Sequence, residues 1–200
     1  YEGDRRLASY FYWLRPDLAE ELIAPELATR DARQEPLVAS LNDLSDEVPV
    51  LNRMLYLECK HFLADHNLNY TDKLSMAAGV EVRVPLLDRE LVALAARLPI
   101  QYKQRGAEGK WIFKKAMEGL LPREIIYRPK TGFGVPLRAW LRGPLKEPIR
   151  DILSPDSLRR RGWFNSDSVE RLLADNLSGE VDAAYPLFAI LCIELWAQMF

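Results

Sequence analysis

The residues best suited to chemistry in this 200-residue sequence lie in one short loop at positions 128–136. The loop reads Arg-Pro-Lys-Thr-Gly-Phe-Gly-Val-Pro, in which two prolines restrict the backbone and two glycines permit positive φ. Lys130 is a compact cation that could bind phosphate oxygens, and Arg128 could bind them through two parallel hydrogen bonds. The loop lacks the Gly-Lys-Ser/Thr ending of a Walker A motif, so its composition fits an anion-binding loop or an ordinary connector.

Charge is distributed unevenly around that loop. Positions 97–161 contain sixteen basic and six acidic residues, a net charge of +10, whereas the remainder of the chain carries −12. The basic stretch suits a polyanion such as a nucleotide triphosphate, pyrophosphate or nucleic acid, but a solvated face that pairs with the acidic stretches explains it equally well. The total charge of −2 gives no general reason to expect a nucleic acid or a membrane surface as partner.

Other groups of reactive side chains are weaker candidates. His61 and His66 are five residues apart, do not share a helix face and lack a third ligand, so we predict no metal site. The two cysteines, Cys59 and Cys192, are too few for a disulfide framework and lie in apolar runs. We therefore expect buried, reduced thiols in a cytoplasmic protein.

Most of the chain outside this loop has the periodicity of helices, and these helices must position the loop. We predict helices at 5–14, 17–27, 48–65, 89–97, 110–120, 169–177 and 183–200, and a polar loop at 31–47. Asp88 should cap the fourth of these helices, and Ser166 or Asp167 the sixth, which Gly179 should end. The last helix is almost entirely apolar, but Glu194 and a length of 18 residues favour a core helix over a membrane span, which needs about 20 apolar residues.

The fourth helix should direct its apolar side chains into a core. These side chains are Leu91, Val92, Leu94 and Ala95.

Only positions 79–85 have the pattern of a strand. Three valines alternate there with Glu81 and Arg83, which places both charges on one side of an extended chain. An extended loop laid over the helices fits equally well, because a single strand cannot form a sheet and no βαβ unit is visible. With 48% hydrophobic residues the chain can bury a core, and we predict a mainly α fold.

The same residues belong to a longer pattern. Positions 72–88, Asp-Lys-Leu-Ser-Met-Ala-Ala-Gly-Val-Glu-Val-Arg-Val-Pro-Leu-Leu-Asp, resemble the D-K/R-x-S-M-A…G-x-E-x-R-V-P-F-L-D signature of glutamine-dependent asparagine synthetases. Positions 128–133 are similar to the R-P-K-x-G-F element of that family. Further matches follow in the family's order: Leu98-Pro99, Lys103, Gly109-Lys110, Leu121-Pro122, Trp140-Leu141 and Arg161-Gly162. The resemblance is close over 67–200, whereas 1–66 resembles the variable helical stretch of the family.

The resemblance implies both a fold and a reaction. This chain would be the helical C-terminal portion of an α/β adenine-nucleotide-hydrolase-like synthetase domain, with the parallel sheet mostly outside it. Similar enzymes use ATP with Mg²⁺ to adenylate the β-carboxylate of aspartate, and ammonia from glutamine then gives asparagine, AMP and pyrophosphate.

The resemblance also implies a role for each candidate site residue, according to its position in the motifs. Lys130 matches the family's catalytic lysine, a cation for the departing pyrophosphate. Arg128 either supports this lysine or has a purely structural role. Glu81 and Arg83 match positions near the site, where they form an ion pair or touch the substrate. Asp72 is the weakest candidate of the motif set.

The resemblance also implies a longer enzyme. The N-terminal cysteine glutaminase, the Ser-Gly-Gly-x-Asp-Ser loop for pyrophosphate and the Gly-x-Asp-Glu loop of the family are not in this sequence. We therefore expect the main ATP-binding residues before Tyr1, no bound cofactor and no activity in this chain alone. The expected partners are aspartate, ATP, ammonia and the missing regions of the same cytoplasmic protein, and a homodimer stays open.

Two alternatives to an asparagine synthetase also stay open. The same scaffold serves other amide-forming enzymes, namely β-lactam synthetases, lasso-peptide cyclases and amidotransferases of surface-polysaccharide clusters. A helical interaction module could instead keep the motifs for packing and catalyse nothing. Nucleic-acid binding is less favoured than either, because the basic stretch is its only support.

Overall fold

The computed structural model describes residues 2–12, 14–27, 35–129 and 134–200. Their α-helices are α1 (Gly3–Ser9), α2 (Pro16–Leu22), α3 (Glu35–Leu41), α4 (Val50–Leu57), α5 (Asn69–Ala77), α6 (Arg89–Arg97), α7 (Ile100–Lys103), α8 (Trp111–Met117), α9 (Arg123–Ile126), α10 (Leu137–Arg142), α11 (Lys146–Ile152), α12 (Pro155–Arg161), α13 (Ser166–Ser178) and α14 (Ala184–Met199). The described residues also include 3₁₀ turns at Pro25–Leu27 and Pro85–Leu87, a π-helical segment at Glu58–Leu68, and the antiparallel pair β1 (Gln104–Arg105) and β2 (Glu108–Gly109). The prediction of a mainly α chain is confirmed.

The described residues form two compact units. The first unit comprises the described residues of 1–11 and 34–131 and contains α1, α3 to α9 and the β pair. The second unit comprises the described residues of 12–33 and 132–200 and contains α2 and α10 to α14. From the sequence we predict one helical domain over 1–200, with a variable part at 1–66 and a part that carries the family motifs at 67–200. That division follows motifs rather than compactness, and it stays a prediction.

The second unit has a core to which six helices contribute, α2 and α10 to α14. Each of α10 to α14 has a fully buried apolar side chain in this core: Leu141, Ile149, Leu158, Val169 and Leu187. Burying each such side chain contributes about 1.5–3 kcal/mol to folding. The last helix is therefore a core helix, as predicted, and no helix in the described part of the chain is long and apolar enough to cross a bilayer.

Local capping explains where two of the helices begin and end. Asp88 Oδ1 accepts hydrogen bonds from the amides of Glu90 and Leu91, each at 3.0 Å, so the predicted cap of α6 is confirmed. Helix α13 is capped by Asn165, rather than by either of the two residues that follow it, and ends at Gly179 as predicted. Gly179 has φ of 88°, a conformation that favours glycine after a helix.

The first unit has a much smaller core. Leu7 of α1, Leu41 of α3 and Leu57 of α4 are buried together. Helix α3 lies where the sequence predicted a loop at 31–47, and that prediction is wrong for 35–41. The reason is that Leu37 and Leu41 supply this short helix with an apolar face for the small core.

The rest of the first unit, over the described residues 58–129, has no buried residue. Leu91, Val92 and Leu94, predicted to face a core, are 37%, 43% and 52% exposed, and Ala95 is exposed as well. Their inward orientation was predicted wrongly, because helical spacing groups side chains on one face without supplying an element that covers it.

The structure decides between the two alternatives at 79–85 and contradicts the expected burial of the cysteines. Residues 80–84 form no strand, since no neighbouring strand in the described chain pairs with them, and the loop alternative is the one observed. Cys59 and Cys192 are free, but both are exposed rather than buried. Cys192 lies on the outward side of α14, because Leu191 and Glu194 occupy the side that faces the core.

Candidate functional site

The loop that carries the predicted catalytic lysine follows helix α9. Residues 130–133, and with them Lys130, lie outside the described residues, so the role of Lys130 stays a prediction. Arg128 and Pro129 are described and exposed. Within the described chain, no hydrogen bond or ion pair occupies the Arg128 guanidinium, which leaves its donors available to an anionic ligand.

A network around Glu118 lies directly before that loop. Tyr127 donates its hydroxyl hydrogen to Glu118 Oε1 at 2.5 Å, and the same oxygen accepts from Lys115 Nζ at 2.9 Å. Arg123 approaches it at 3.5 Å. The ring centroid of Tyr127 lies 5.3 Å from Lys114 Nζ and 4.6 Å from Arg123 Cζ, so both cations lie over the ring. We call these five residues the Glu118 cluster.

The hydrogen bonds of the Glu118 cluster set its ionisation. The bond from Tyr127, followed by the bond from Lys115, lowers the pKa of Glu118. Its carboxylate in turn raises the pKa of both Tyr127 and Lys115. At neutral pH the acceptor is therefore ionised and its two strongest donors are protonated. Nothing in the sequence pattern singled out this cluster except the i,i+3 spacing of Lys115 and Glu118.

Glu81 and Arg83 lie on the irregular loop that follows α5. An Arg83 Nη atom is 2.7 Å from Glu81 Oε1, so the two charges form the ion pair that was one of the two alternatives. Their side chains are 67% and 84% exposed, and an ion pair in water contributes little to stability. A contact of either residue with substrate stays a prediction.

Asp72 lies on α5 and is exposed. It borders a shallow cleft together with Asp65 and Asn69. In the part of the chain that the structure describes, no hydrogen bond or ion pair links Asp72 to Arg128 or to the pair at 81 and 83. The four predicted site residues that the structure describes all lie in the first unit, but no contact among the described residues joins all four.

Two other motif positions have structural roles. Lys103 Nζ donates to Asn52 Oδ1 at 2.8 Å and to the Ala96 carbonyl at 3.1 Å, and burial lowers the pKa of this lysine. It thereby joins α7 to α4 and to the end of α6. Lys110 precedes α8 with φ of 57°, the one positive φ of a non-glycine residue in the described chain.

A cleft of about 1270 Å³ in the first unit contains a residue that sequence analysis missed. Arg53 is only 8% exposed, donates to both carboxylate oxygens of Asp4 and bonds the Ser45 carbonyl at 3.3 Å. Because Asp4 is 49 residues away, no local pattern could reveal this pair. None of the four predicted site residues that are described lines the cleft.

Many charges of the basic segment are paired within the protein. Ion pairs hold Lys114, Lys115, Arg123, Arg138, Arg150, Arg159 and Arg161. Two of the acidic partners, Asp182 and Glu194, lie in the acidic remainder of the chain. Internal pairing therefore accounts for part of the +10 charge, and Arg128 belongs to the part that it does not account for.

The histidines have protein partners. His61 Nε2 is 2.9 Å from Ser40 Oγ, and His66 Nδ1 is 2.9 Å from Asn67 Oδ1. Across 2–12, 14–27, 35–129 and 134–200, no three His, Cys, Asp or Glu side chains are grouped closely enough to hold a metal ion.

The comparison with known proteins covers nearly the whole chain. The family model described as asparagine synthase matches residues 5–198. Asparagine synthetase [glutamine-hydrolyzing] 1 of Bacillus subtilis strain 168 is 29% identical over 172 residues, which are 86% of this chain and 26% of that protein. A putative asparagine synthetase [glutamine-hydrolyzing] of Mycobacterium tuberculosis strain H37Rv is 34% identical over 149 residues, 74% of this chain and 22% of that protein.

This chain therefore spans about a quarter of the length of the curated relatives that it matches. No solved structure gives a significant match. Because the family model covers both compact units and every motif named above, the chain belongs to the asparagine synthase family.

Proposed function

We propose that this chain is the C-terminal part of the synthetase region of a glutamine-dependent asparagine synthetase. The observation that carries the proposal is the family match over 5–198, which includes the Arg-Pro-Lys loop at 128–130. The guanidinium of Arg128 is exposed and no described residue forms a hydrogen bond or ion pair with it, which supports an anionic ligand at that loop.

The proposed reaction has two steps, the adenylation of aspartate by ATP and the attack of ammonia on the product. A β-carboxylate oxygen of aspartate attacks the α-phosphorus of ATP, and the bond from that phosphorus to pyrophosphate breaks. Ammonia then attacks the acyl carbon, loses a proton and expels AMP, which leaves asparagine. Lys130 stabilises the charge that develops on the departing pyrophosphate, and Arg128 supports it. The pair of Glu81 and Arg83 organises the adjacent loop.

The rest of the synthetase is the proposed partner of the uncovered first unit. Leu74, Met76, Val80 and Leu86 are each more than half exposed, and the apolar face of α6 is exposed to a lesser degree. Apolar side chains in such numbers indicate a surface that another element covers. Since the relatives are about four times as long as the matched stretch, we propose that the remaining parts of the same protein, with the ATP loops and the glutaminase, cover it.

The test uses the whole protein and measures aspartate-dependent release of AMP and pyrophosphate. Lys130→Ala should reduce the release by about 100-fold, as expected when a cation that stabilises the transition state is lost. Its unfolding midpoint should not change. The control is Lys60→Ala, because Lys60 pairs with Asp43 outside every family motif; this variant should keep its activity.

The same assay decides between the alternatives. Turnover of another carboxylic acid instead of aspartate would assign the protein to the other amide-forming enzymes. Near-normal turnover in Lys130→Ala would contradict the catalytic role and favour packing alone. Aspartate-dependent AMP release by this chain alone would contradict the proposal that it is inactive without the rest of the synthetase.

A further inference from the structure

The Glu118 cluster restrains the chain at the residue before the Arg-Pro-Lys loop. Helix α9 has only four residues, and a helix of that length has little stability of its own. Its position therefore depends on side-chain contacts, and Tyr127, directly after it, provides them. The hydroxyl of Tyr127 bonds to Glu118, which ends helix α8.

Glu118 is itself held by the turn that joins the two helices. Its amide bonds the Lys115 carbonyl at 3.3 Å, and the amides of Leu120 and Leu121 bond the Met117 carbonyl at 3.0 and 3.1 Å. Gly119, with φ of 89°, makes the turn tight. The bond from Tyr127 to Glu118 thus ties the end of α9 to the end of α8.

We propose that Glu118 and Tyr127 are positioning residues for Lys130, an inference that rests on the proposed function of that lysine. Only Arg128 and Pro129 separate Tyr127 from Lys130, and three residues of chain reach at most about 11 Å. Pro129 further restricts this short connection. A fixed Tyr127 therefore limits where the lysine ammonium can lie.

The protonation states of the pair suit such a restraint. The pKa of Glu118 is lowered and that of Tyr127 is raised, each mainly by their mutual hydrogen bond. The carboxylate and the hydroxyl therefore remain acceptor and donor throughout the neutral range, so the restraint persists at the pH at which a biosynthetic enzyme works.

The first experiment measures kinetics of the whole protein with Tyr127→Phe. The phenylalanine ring can still pack against Lys114 and Arg123, so the variant removes only the hydroxyl that bonds Glu118. We expect kcat for pyrophosphate release to fall about tenfold, because a misplacement of about 1 Å can cost a catalytic group about 100-fold. KM for ATP and aspartate should change less than about twofold.

Two further variants complete the kinetic test. Glu118→Ala should lower kcat by a similar factor, and the double variant should be no worse than either single one, because both remove the same bond. Tyr56→Phe is the matched control: its hydroxyl bonds Lys60 at 3.0 Å, away from the loop, and its kcat should stay normal. An unchanged kcat in Tyr127→Phe, with active wild type and inactive Lys130→Ala, overturns the inference and leaves the proposed function intact.

The second experiment is independent of activity. Trypsin cuts after Lys130 but not between Arg128 and Pro129, so mass spectrometry of the same whole proteins can follow cleavage of the 130–131 bond. Tyr127→Phe should speed this cleavage about threefold or more, since loss of the bond to Glu118 frees the chain that precedes the cleavage site, whereas Tyr56→Phe should not. If the wild type lacks activity, the proposed function fails, and equal cleavage rates in wild type and Tyr127→Phe then overturn the restraint as well.

Discussion

At the scale of single residues, Glu194 is the most unusual side chain of the second unit. Its carboxylate is fully buried on the apolar helix α14, and neither of its oxygens has a hydrogen-bond partner among the described residues. Its counter-charge is Arg161, with Nε 3.5 Å from Oε2 and Nη1 bonded to the Ala197 carbonyl at 2.7 Å. The Arg-Gly motif at 161 and 162 thus has a structural explanation, because the arginine compensates a buried charge and the glycine, with φ of 72°, ends α12.

Removing the arginine should therefore destabilise this unit. We expect Arg161→Ala to lower the free energy of unfolding by about 2–3 kcal/mol, because it leaves a buried carboxylate without a counter-charge. Urea unfolding of this chain, followed by circular dichroism, measures the change. Replacing both partners, as Arg161→Ala with Glu194→Met, should restore part of the loss.

The control for Arg161 lies two residues earlier on the same helix. Arg159 is 58% exposed and pairs with Asp156 at the surface, so Arg159→Ala should change the unfolding midpoint little. Equal losses in Arg159→Ala and Arg161→Ala would contradict the importance of the buried pair.

At the scale of elements, one exposed ion pair joins α10 to the segment that leads into α14. Arg138 Nε is 2.6 Å from Asp182 Oδ2, and this hydrogen bond lowers the pKa of Asp182 and raises that of Arg138. Because the pKa of Asp182 is lower in the folded than in the unfolded chain, the pair stabilises the fold above the unfolded value of about 3.9. The contribution is lost as the pH falls through the folded value.

Asp182→Asn should weaken this dependence on pH. The amide keeps an oxygen that accepts from Arg138 but cannot titrate, so the variant should lose less stability than the wild type between about pH 5 and pH 3. Urea midpoints of both proteins across that range test the prediction. The difference should be small, because both side chains are about half exposed, and identical pH profiles would contradict it.

The elements that sequence predicted well depend on interactions between near neighbours. The Asp88 cap and the Gly179 stop involve hydrogen bonds and backbone angles within about one helical turn, which a sequence displays directly. The burial of Leu91 and Leu94 depends on whatever lies across from α6, and helical spacing carries no such information. Helix α3 was missed for the same reason, since its two leucines meet Leu7 and Leu57 from distant helices.

In the candidate site, too, the sequence predicted features that depend on neighbouring residues and missed those that depend on distant contacts. The motif at 128–133 was recognisable because its prolines, glycines and lysine are consecutive. The bond from Tyr127 to Glu118 crosses a turn between two helices, and the pair of Arg53 and Asp4 crosses 49 positions. Sequence spacing does not constrain contacts of these kinds, so only the structure revealed them.

At the scale of the whole molecule, burial differs sharply between the two units. Helices α10 to α14 share one core, whereas the described residues at 58–129 contribute none that is buried. Amide exchange of this chain should therefore be slowest in α13 and α14 and much faster in α5 and α6, because protection follows the burial that resists local opening.

Hydrogen–deuterium exchange with mass spectrometry measures this contrast directly. In the whole synthetase, protection of α6 should rise if the remaining protein covers its apolar face, while α14 should change little. Uniform protection along the isolated chain, or no gain in α6 in the whole protein, would contradict the proposed covering of the first unit.

The accessible cysteines make each unit separately addressable. Cys59 belongs to the first unit and Cys192 to the second, and the sequence contains no other thiol. Although Cys192 is exposed, partial desolvation by its surroundings raises the pKa of its thiol, which lowers its thiolate fraction and slows its reaction with a maleimide. A brief treatment with one fluorophore and a longer one with a second should therefore place donor and acceptor dyes on different units. Energy transfer between them would then measure the separation of the units in solution without a single engineered residue.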